Sequence, residues 1–471
     1  AGCMYEFACN YDPTATIAAN DTCEFGTCPG CTDPAACNYN PTVTEDDGSC
    51  LYLDECGVCG GFGFAEGTCD CEGSIAESGY NCDGSCVIDT DGDGVCDEFE
   101  IAGCTDIEAI NYDETATDDD GSCVMVWMQL GQDIDGEAAA DNSGNSVSLS
   151  SDGTIVAIGA RYNDDNGVLS GHVRIYAWNS GTSAWEQQGA DIEGEAEFNV
   201  SGFSVSLSDD GTIVAIGAPA NDGNGDGSGH VRIYAWNSTT SAWEQQGADI
   251  DGEATSNESG RSVSLSSDGT TVAIGASSND GNGDGSGHVR IYAWNSTTSA
   301  WEQQGADIDG EAAGDYCGGS VSLSSDGTIV AIGADHNDGN GDSSGHVRIY
   351  AWNSTTSAWE QQGADIDGEA ANDWSGSSVS LSSDGTTVAI GAYHNAGNGT
   401  SSGHVRIYVW NSVTSTWAQQ VADIDGEAAG DNSGYSVSLS SDGTIVAIGA
   451  PQANGNANGN SGGHVRIYSA N

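Results

Sequence analysis

Hydrophobic and polar positions alternate regularly along most of the chain after residue 124. The string SVSLSSDG places Val and Leu between serines, and TIVAIGA, which follows it, is a continuous apolar run. Alternation is typical of a strand with one buried face, and a short apolar run suits a strand buried on both faces. The DG pair between them indicates a tight hairpin turn. Two further strings, GHVRIYAW and SAWEQQGADI, complete four predicted strands, and no helix pattern intrudes.

This set of four strands recurs six times with a period of 58 residues. Such a period indicates a repeat architecture. Four short antiparallel strands per unit predict an all-β fold, a six-bladed β-propeller of four-stranded antiparallel blades. Each unit begins with DIDGE or DIEGE, at Asp133, Asp191, Asp249, Asp307, Asp365 and Asp423.

The two ends of the repeat region predict ring closure. Residues 125–136 contain a fourth strand alone, and the chain ends on a third strand, GHVRIYSAN. Pairing of the first segment with the last blade leaves no free sheet edge. We therefore expect a propeller at residues 125–471 that is closed by the strand at 125–136. The alternatives are a fragment of a longer array and a seven-bladed ring that lacks one unit.

The recurring strings DI.GEA, SVSLSSDGT, VAIGA and GHVRIY resemble bacterial FG-GAP repeats, which are related to the integrin α-subunit propeller. The resemblance covers about residues 125–471. It implies propeller blades, of which that family usually has seven. Members often carry a calcium loop in the first hairpin. Here that hairpin is the short SSDG or SDDG, so those calcium sites cannot be transferred to this chain.

Residues 1–124 have a different composition, dominated by Cys, Asp and Gly. Sixteen of the 17 cysteines lie between residues 3 and 123, and Cys317 stands alone in the repeats. A dense, even set of cysteines in a segment with little core indicates a disulfide framework outside the cytosol. We therefore expect a small, disulfide-rich, loop-dominated stalk. Zinc is the weaker alternative, because the spacings are irregular and the segment has no His.

Three similar segments of this region predict part of its disulfide connectivity. The third has Ile110 where the others have a second cysteine, so its two remaining cysteines most simply pair, and the first two segments follow by analogy. Two further pairs share a spacing of 19 residues. Sequence does not fix the rest. The expected bridges are Cys3–Cys23, Cys9–Cys28, Cys31–Cys50, Cys37–Cys56 and Cys104–Cys123.

The strings GCTDPAACNYNPTVTEDDGSC (30–50) and GCTDIEAINYDETATDDDGSC (103–123) are similar to short Cys-rich modules of marine bacterial surface proteins. This resemblance implies a surface protein and says little about activity.

Residues 89–100, DTDGDGVCDEFE, carry the sharpest candidate site. Acidic residues occupy loop positions 1, 3, 5, 9 and 12, and a glycine occupies position 6. This is the oxygen-ligand spacing of a calcium loop, and it resembles thrombospondin type 3 and EF-hand-like loops. An acidic solvated turn is the alternative. The predicted Ca²⁺ ligands are Asp89, Asp91, Asp93, Val95, Asp97 and Glu100.

Two weaker candidate cation sites lie in the repeats. Carboxylates at alternate positions of each DIDGE junction, such as Asp249, Asp251 and Glu253, point the same way from a strand and could share a cation. An acidic edge that prevents sheet-to-sheet aggregation is the preferred alternative. Two NDGNGDGSG loops match the start of a calcium loop, although a flexible connection is favoured for the set. Their candidate ligands are Asp222, Asn224, Asp226, Asp280, Asn282 and Asp284.

Several residues occur once or twice in each unit. The Arg of GHVRIY is expected to form a structural ion pair between blades. The His of the same string is expected to pack or to form hydrogen bonds, because neighbouring His residues in a ring are too far apart to share a metal. The paired Trp residues are expected to staple a hairpin, with sugar stacking as the alternative. Possible glycosylation sequons begin at Asn237, Asn295 and Asn353.

The charge narrows the functional classes. The chain has 72 acidic and eight basic residues, a net charge of -64. This balance excludes nucleic acid, whose phosphates need Lys and Arg clusters, and no apolar stretch is long enough to enter a membrane. Near-identical blades supply no unique acid/base pair, so we expect no enzyme.

We therefore expect an extracellular structural or adhesion protein of a cell surface or appendage, stabilised by calcium. Its expected partners are other surface proteins, copies of itself, or glycans, and a multivalent glycan-binding lectin is the alternative. An enzyme acting on glycans is a third and weaker possibility.

Overall fold

The computed structural model divides into two compact units, Ala1–Met128 and Gln129–Asn471. The described part of the chain holds no helix long and apolar enough to cross a bilayer. The structure describes all residues except 7, 27, 42, 55, 62–74, 77, 82–84, 89, 91–94, 108, 110, 120–121, 124–128, 454–462 and 470–471.

The N-terminal unit is built from loops, with only short regular elements. In each of the three similar segments an Asn side chain spans a loop: Asn10 Nδ2 donates to the Thr22 carbonyl at 2.7 Å, and Asn38 and Asn111 make the equivalent bond at 2.6 Å. The segments therefore share one local fold. The elements are a 3-10 turn (Asn20–Thr22) and four strands in two parallel pairs, β1 (Pro29–Gly30) with β2 (Glu45–Asp46) and β3 (Ala102–Gly103) with β4 (Asp118–Asp119).

The structure forms four of the expected disulfides, Cys3–Cys23, Cys9–Cys28, Cys31–Cys50 and Cys104–Cys123, and a further bridge, Cys86–Cys96.

The expected Cys37–Cys56 pairing is wrong. Cys37 bonds to Cys59, with the two Cα atoms 5.8 Å apart, and Cys56 belongs to another bridge. A tight turn is the reason: Asp54 Oδ1 accepts the backbone N–H groups of Cys56 and Val58. The turn folds Cys59 back against Leu53, beside the segment that pairs with Cys37. Local turn chemistry thus overrides equal sequence spacing.

The second unit is a six-bladed β-propeller of four-stranded antiparallel blades. In the second blade the order is β10 (Ser204–Leu207), β11 (Ile213–Ala218), β12 (His230–Asn237) and β13 (Ala242–Gln245), and the two-residue strand β14 (Ile250–Asp251) also pairs with β12. The DG turn joins the first two strands, and the register places Ile216 opposite Arg232 and Trp236 opposite Trp243. The predicted four strands are confirmed in the first five blades, and the described residues of the sixth blade form three strands.

The strands of the first three blades, in chain order, are β5 (Ser143–Leu149), β6 (Ile155–Ala160), β7 (His172–Asn179), β8 (Ala184–Gln187), β9 (Ile192–Glu193), β10 (Ser204–Leu207), β11 (Ile213–Ala218), β12 (His230–Asn237), β13 (Ala242–Gln245), β14 (Ile250–Asp251), β15 (Ser262–Leu265), β16 (Thr271–Ala276), β17 (His288–Asn295), β18 (Ala300–Gln303) and β19 (Ile308–Asp309).

Those of the last three blades are β20 (Ser320–Leu323), β21 (Ile329–Ala334), β22 (His346–Asn353), β23 (Ala358–Gln361), β24 (Ile366–Asp367), β25 (Ser378–Leu381), β26 (Thr387–Ala392), β27 (His404–Asn411), β28 (Thr416–Gln419), β29 (Ile424–Asp425), β30 (Ser436–Leu439), β31 (Ile445–Ala450) and β32 (His464–Ser469).

The hydrophobic core lies between consecutive blades. Val231, Ile233 and Ile250 of the second blade pack against Leu265 and Ile274 of the third. Because the second and third strands of a blade bury both faces, they carry the continuous apolar strings seen in the sequence. Burial of each such side chain contributes about 1.5–3 kcal/mol.

Serines of the first strands join neighbouring blades by hydrogen bonds. Ser204 Oγ donates to the Gly260 carbonyl of the next blade at 2.8 Å, and the Leu265 N–H donates to Ser206 Oγ at 3.0 Å. Gly260 has a φ of 87°, and a Cβ there would meet the His230 carbonyl oxygen at 2.5 Å. A glycine is therefore required at this close approach. The polar face of SVSLS thus bonds to the neighbouring blade.

One buried Arg per blade fixes the junction that precedes it. Arg290 Nη2 donates to the Asp251 carbonyl at 2.7 Å, its Nη1 lies 3.9 Å from Glu253 Oε1, and its guanidinium lies 5.5 Å from the Tyr292 ring. Only 5 % of Arg290 is exposed. The expected structural ion pair is present, together with a stronger contact to a backbone carbonyl. The same carbonyl contact recurs at 2.5–2.7 Å for Arg174, Arg232, Arg348, Arg406 and Arg466.

The expected closing strand at 125–136 is not observed in the described residues. Residues 124–128 lie outside them, residues 129–136 form no strand, and β32 pairs with β31. Instead, the Leu130 carbonyl accepts a hydrogen bond from Trp185 Nε1 of the first blade. This segment therefore packs against the blade that follows it in the chain.

The outer faces of the first and last blades are correspondingly exposed. Val147 on β5 is 62 % exposed, whereas its equivalent Val205 is 9 % exposed. Val465 on β32 is 66 % exposed, whereas Val405 is fully buried. Two apolar sheet faces that would meet on ring closure are therefore uncovered.

The lone Cys317 is fully buried, and its Sγ lies 3.7 Å from Arg348 Nη2. It takes the place of a serine found in other blades, such as Ser259 and Ser375. Burial raises the pKa of the thiol to about 11. Of the two roles open to it, a cross-link between chains and a buried neutral substitution, the structure favours the second.

Replacing Arg290 by Met should lower the free energy of unfolding by about 2–4 kcal/mol, because a buried carbonyl and carboxylate lose their charged partner. Urea unfolding followed by Trp fluorescence measures the change. The control is Arg261→Met, which removes a 44 % exposed side chain and should change stability by less than about 0.5 kcal/mol. Equal effects of the two substitutions would contradict the structural role of Arg290.

Cys317 should not react with a thiol reagent such as dithionitrobenzoate in the folded protein, because the thiolate is the reactive form and the site excludes solvent. The same reagent should label Cys317 in urea without reductant. Labelling of the native chain at the rate of the unfolded one would show that the blade is open at this point.

Candidate functional site

Many of the differences between the repeats lie at four positions of the unit. The strings SVSLS, VAIGA and GHVRIY are nearly invariant, but two positions before the first strand change from blade to blade. We call these the first and second variable positions. The first holds Asn142, Val200, Glu258, Tyr316, Trp374 and Asn432, and the second holds Asn145, Phe203, Arg261, Gly319, Ser377 and Tyr435.

The third and fourth variable positions directly follow the second strand. The third holds Arg161, Pro219, Ser277, Asp335, Tyr393 and Pro451, and the fourth holds Tyr162, Ala220, Ser278, His336, His394 and Gln452.

An invariant backbone carries the first two variable positions. The residue at the second position donates its N–H to the carbonyl of the first, as from Arg261 to Glu258 at 3.1 Å. Every residue at the first position has a positive φ, from 50° at Val200 to 58° at Trp374. A β-branched or bulky residue in this region is strained. The conformation is therefore imposed by the fold and not by the side chain it presents.

The third and fourth positions are the two central residues of a β-turn. In the second blade the Asn221 N–H donates to the Ala218 carbonyl at 3.1 Å, which closes the turn around positions 219 and 220. The Asn221 side chain is buried, and its Nδ2 donates to Asn199 Oδ1 at 3.1 Å. Asn199 directly precedes the first variable position, so one buried contact ties both variable turns together.

The four variable positions meet in one cleft. A cleft of about 520 Å³ is lined only by residues at these positions, from blades three to six. A neighbouring cleft contains Tyr162, Val200, Phe203 and Arg261 at the same positions of blades one to three. We call the residues at the four positions together the variable face. The lining of the first cleft is Glu258, Arg261, Ser277, Ser278, Tyr316, Gly319, Asp335, His336, Ser377, Tyr393 and Tyr435.

Aromatic rings form a continuous row on the variable face. Trp374 stacks on His394 with ring centroids 3.9 Å apart. The centroid of the His336 ring lies 4.8 Å from that of Trp374, and the two rings are tilted relative to each other. Tyr393 contacts Trp374 at 5.4 Å and Tyr435 at 5.2 Å. Rings packed edge to face or stacked hold one another in place. The row is therefore a preformed surface.

The variable face also holds the two arginines that lie outside the GHVRIY strings. Arg161 and Arg261 each place their guanidinium 5.2 Å from the Phe203 ring, and Arg161 also lies 4.6 Å from the Tyr162 ring. The chain has eight basic residues and no Lys. The two arginines that do not contact a junction both lie on this face. The face therefore differs in charge from the acidic surface around it.

Two titratable groups of the face have altered pKa values. The Asp335 carboxylate, 2.9 Å from His336 Nδ1, raises the pKa of His336 through a hydrogen bond. Burial raises the pKa of Tyr393 to about 12. Tyr393 is therefore a neutral hydrogen-bonding phenol at physiological pH.

The predicted calcium loop at 89–100 falls largely outside the described residues, which exclude Asp89, Asp91 and Asp93. Asp97 is described: its carboxylate accepts hydrogen bonds from the Thr90 N–H at 2.8 Å and the Thr90 hydroxyl at 2.7 Å. These bonds lower the pKa of Asp97. The calcium site stays a prediction.

The first and last carboxylates of one DIDGE junction approach histidines of two different blades, and the candidate cation site at Asp249, Asp251 and Glu253 stays untested. Asp249 Oδ2 lies 3.7 Å from His230 Nδ1, whereas Glu253 Oε2 lies 3.9 Å from His288 Nδ1 of the next blade. The chain pairs with its own blade through β14 and then crosses to the next. One junction therefore contributes to two different clusters.

Each of these clusters, which we call junction clusters, combines a buried His with a Glu from the preceding junction and an Asp from the following one. Their candidate ligand atoms lie within 4.8 Å of one another. Burial lowers the pKa of His230, His288 and His346 to about 4, so these imidazoles are neutral at physiological pH. The described residues form five clusters: Glu137/Asp165/His172/Asp191, Glu195/His230/Asp249, Glu253/His288/Asp307, Glu311/His346/Asp365 and Glu369/His404/Asp423.

The NDGNGDGSG loops use candidate ligands to hold the junctions. Asp222 Oδ1 accepts the Gly227 N–H at 2.8 Å, and Asn224 Nδ2 donates to the Gly252 carbonyl at 2.9 Å. Asp280 and Asn282 make the equivalent contacts in the next blade. These contacts give the loops a structural role, and calcium binding there stays untested.

The paired Trp residues join one blade to the next. Trp236 and Trp243 lie 5.4 Å apart across β12 and β13, as expected for a hairpin staple, and Trp243 Nε1 donates to the Gln188 carbonyl of the preceding blade at 2.8 Å. The sequon residue Asn237 uses its Nδ2, the atom a glycan would modify, to donate to Glu244 Oε1 at 2.9 Å. Glycosylation stays untested.

The variable face was missed in the sequence, although a signal for it was present. The recurring residues define the fold, whereas positions at which near-identical units differ carry the signal for this face.

One protein family and several solved structures resemble parts of this chain. The FG-GAP repeat family matches residues 134–176 and 365–408, so the propeller contains FG-GAP repeats. No curated protein matches the chain. Among solved structures, a putative 6-phosphogluconolactonase from Bacteroides uniformis is 12 % identical, with a TM-score of 0.48, over 70 % of this chain and 81 % of that one. The Pseudomonas aeruginosa periplasmic gluconolactonase is 12 % identical, with a TM-score of 0.44, over 69 % and 88 %.

Replacing Val200 by Asn should stabilise the propeller by about 1 kcal/mol, because Asn tolerates a positive φ that strains a β-branched residue. The reverse change at the equivalent position of the first blade, Asn142→Val, should destabilise it by a similar amount. Urea unfolding of both variants provides the measurement. A loss of stability in Val200→Asn would show that the side chain and not the fold sets this conformation.

Proposed function

We propose that this protein is an extracellular, non-catalytic binding protein of a cell surface or appendage, and that it holds a macromolecular partner on the variable face. The disulfide bonds of the N-terminal unit support an oxidising environment outside the cytosol. A calcium ion in the loop at 89–100, which would stiffen that unit, is part of this proposal.

The observation that carries the proposal is that one cleft is lined by residues at four positions that differ from repeat to repeat. A rigid scaffold with variable turn residues at one end is the arrangement by which loops generally carry binding function. Packing alone would not require the residues that line one cleft to differ while their invariant neighbours hold the same backbone. The variable side chains are therefore best explained by contact with something outside the chain.

The side chains on the face favour a protein partner. Tyr, Trp and Arg are enriched at the centres of protein interfaces, and Tyr, Ser, Gly and Asn are typical of binding loops that recognise proteins. The face offers all of these, with Tyr316 and Tyr435 exposed. We infer that the partner is another surface protein or a second copy of this chain.

A glycan is the second candidate. Exposed aromatic rings beside Asp335, His336 and Arg261 combine an apolar surface with hydrogen-bonding groups, as a sugar-binding cleft requires. This would be a single cleft and not the multivalent ring of Trp sites expected from the repeat, because the repeated Trp residues are engaged between blades.

The test uses a variant whose replacements the chain itself already tolerates. In Trp374→Asn/Tyr393→Ser/Tyr435→Asn each new residue occurs at the same position of another blade. We expect this triple variant to fold normally. After labelling with a fluorophore, it should bind to the surface of the producing cells at least tenfold more weakly than labelled wild-type protein. The control is Val413→Thr, a 92 % exposed position that is Thr in the preceding blade, and it should bind like wild type.

Undiminished cell binding by the triple variant would overturn the proposal. A glycan array probed with the same proteins separates the two candidates. Glycan hits that disappear in the triple variant would establish the lectin, whereas cell binding without such hits supports a protein partner.

A further inference from the structure

The junction clusters have a geometry that ion pairs alone do not explain. In the second blade His230 Nδ1 lies 3.8 Å from Glu195 Oε2 and 3.7 Å from Asp249 Oδ2. Both separations are too long for hydrogen bonds, yet two carboxylates from different junctions converge on one ring nitrogen. The same separations, 3.7–3.9 Å, recur around His172 and His288.

The histidine nitrogens are buried without a partner. The Nδ1 atoms of His172, His230 and His346 have no hydrogen-bond partner, and each of these residues is 1 % exposed. A buried polar nitrogen that faces two carboxylates and bonds to neither costs free energy unless something joins them. The repetition of this unsatisfied atom in separate blades indicates a common missing ligand.

We propose that the junction clusters are binding sites for a divalent transition-metal cation of the Zn²⁺ class. One imidazole nitrogen and two carboxylate oxygens are the ligands, and solvent completes the coordination. In the first blade Asp165 adds a further carboxylate.

The distances fit such an ion. Zn²⁺ binds His nitrogen at about 2.0–2.1 Å and carboxylate oxygen at about 2.0–2.2 Å, so a nitrogen and an oxygen ligand of one ion lie at most about 4.3 Å apart. An ion can therefore sit between His230 Nδ1 and either carboxylate without movement of the backbone. Arg232 Nη1, 3.8 Å from the other oxygen of Glu195, would hold that ligand from behind.

The ligand set distinguishes Zn²⁺ from Ca²⁺. Ca²⁺ takes six to eight oxygen ligands, whereas imidazole suits Zn²⁺ and its neighbours. The site is thus different from the oxygen-only loop predicted at 89–100. Its ion would link the chain entering a blade to the chain leaving it, because Glu195 precedes and Asp249 follows the strand that carries His230.

The experiment compares two charge-matched variants of the full chain. Glu195, Glu253, Glu311 and Glu369, all changed to Gln, remove one ligand from four clusters. Glu186, Glu244, Glu302 and Glu360, changed to Gln, remove the same charge from the exposed fourth strands. The side chains of the four cluster glutamates are 43–47 % exposed, so both variants should fold. Circular dichroism in EDTA checks this.

Equilibrium dialysis against Zn²⁺ followed by metal analysis gives the number of ions bound. We expect about five tightly bound ions in wild type and in the control variant, one for each of the five clusters, and about one in the cluster variant. Co²⁺ should give a ligand-field absorption spectrum of His and carboxylate coordination that falls in proportion. A tenfold excess of Ca²⁺ should not displace either ion.

Equal Zn²⁺ binding by the two variants would overturn the proposal, since it would show that the general acidity of the surface holds the metal. Absence of tight binding in wild type, or displacement by Ca²⁺, would overturn it as well. The substitution His230→Gln adds a readout for the imidazole, because it should remove one ion and one site's share of the Co²⁺ spectrum.

Discussion

The contact between the buried Arg of each blade and the backbone of the preceding junction is the constraint on which the propeller depends. A guanidinium buried without partners would be very costly. Here it bonds to a carbonyl, approaches a Glu and lies beside a Tyr ring of its own strand. Because that carbonyl belongs to the chain that crosses between blades, the position of each blade is fixed relative to the last. The acidic residue of the junction and the recurring Arg of the third strand both take part in this contact.

The fixed junctions leave the other end of the blades free to vary. The buried Asn that closes the β-turn and its partner before the first strand hold the turns in one conformation, even where Val200 is strained by it. The scaffold therefore carries the energetic cost of the loop shape, and the side chains on it can differ without changing the fold. A surface of this kind is preorganised, which lowers the entropy lost on binding.

The sequence was sufficient for the blades and insufficient for the contacts between them. Alternation in SVSLS and the apolar run in VAIGA predicted the strands and their order, because one blade is a local structure. The sequence did not show that Asp249 and Glu253, which are close in the chain, approach histidines of two different blades. The predicted disulfide partner of Cys37 was wrong for a related reason. The turn at Asp54 determines which cysteine lies close to Cys37. Ring closure depends on residues far apart in the chain, so local sequence patterns do not predict it. The exposed faces of β5 and β32 are an example.

The strict 58-residue offset of the inter-blade contacts has a consequence for how such a chain can change. Ser204 bonds to Gly260 as Ser262 bonds to Gly318, with the same donor, acceptor and length. These blades therefore present the same hydrogen-bonding groups to the blade that follows them. Gain or loss of a whole unit by recombination would bring matching contact surfaces together and need no new packing. The number of blades can therefore change in a single genetic event, while each unit keeps its own residues at the variable positions.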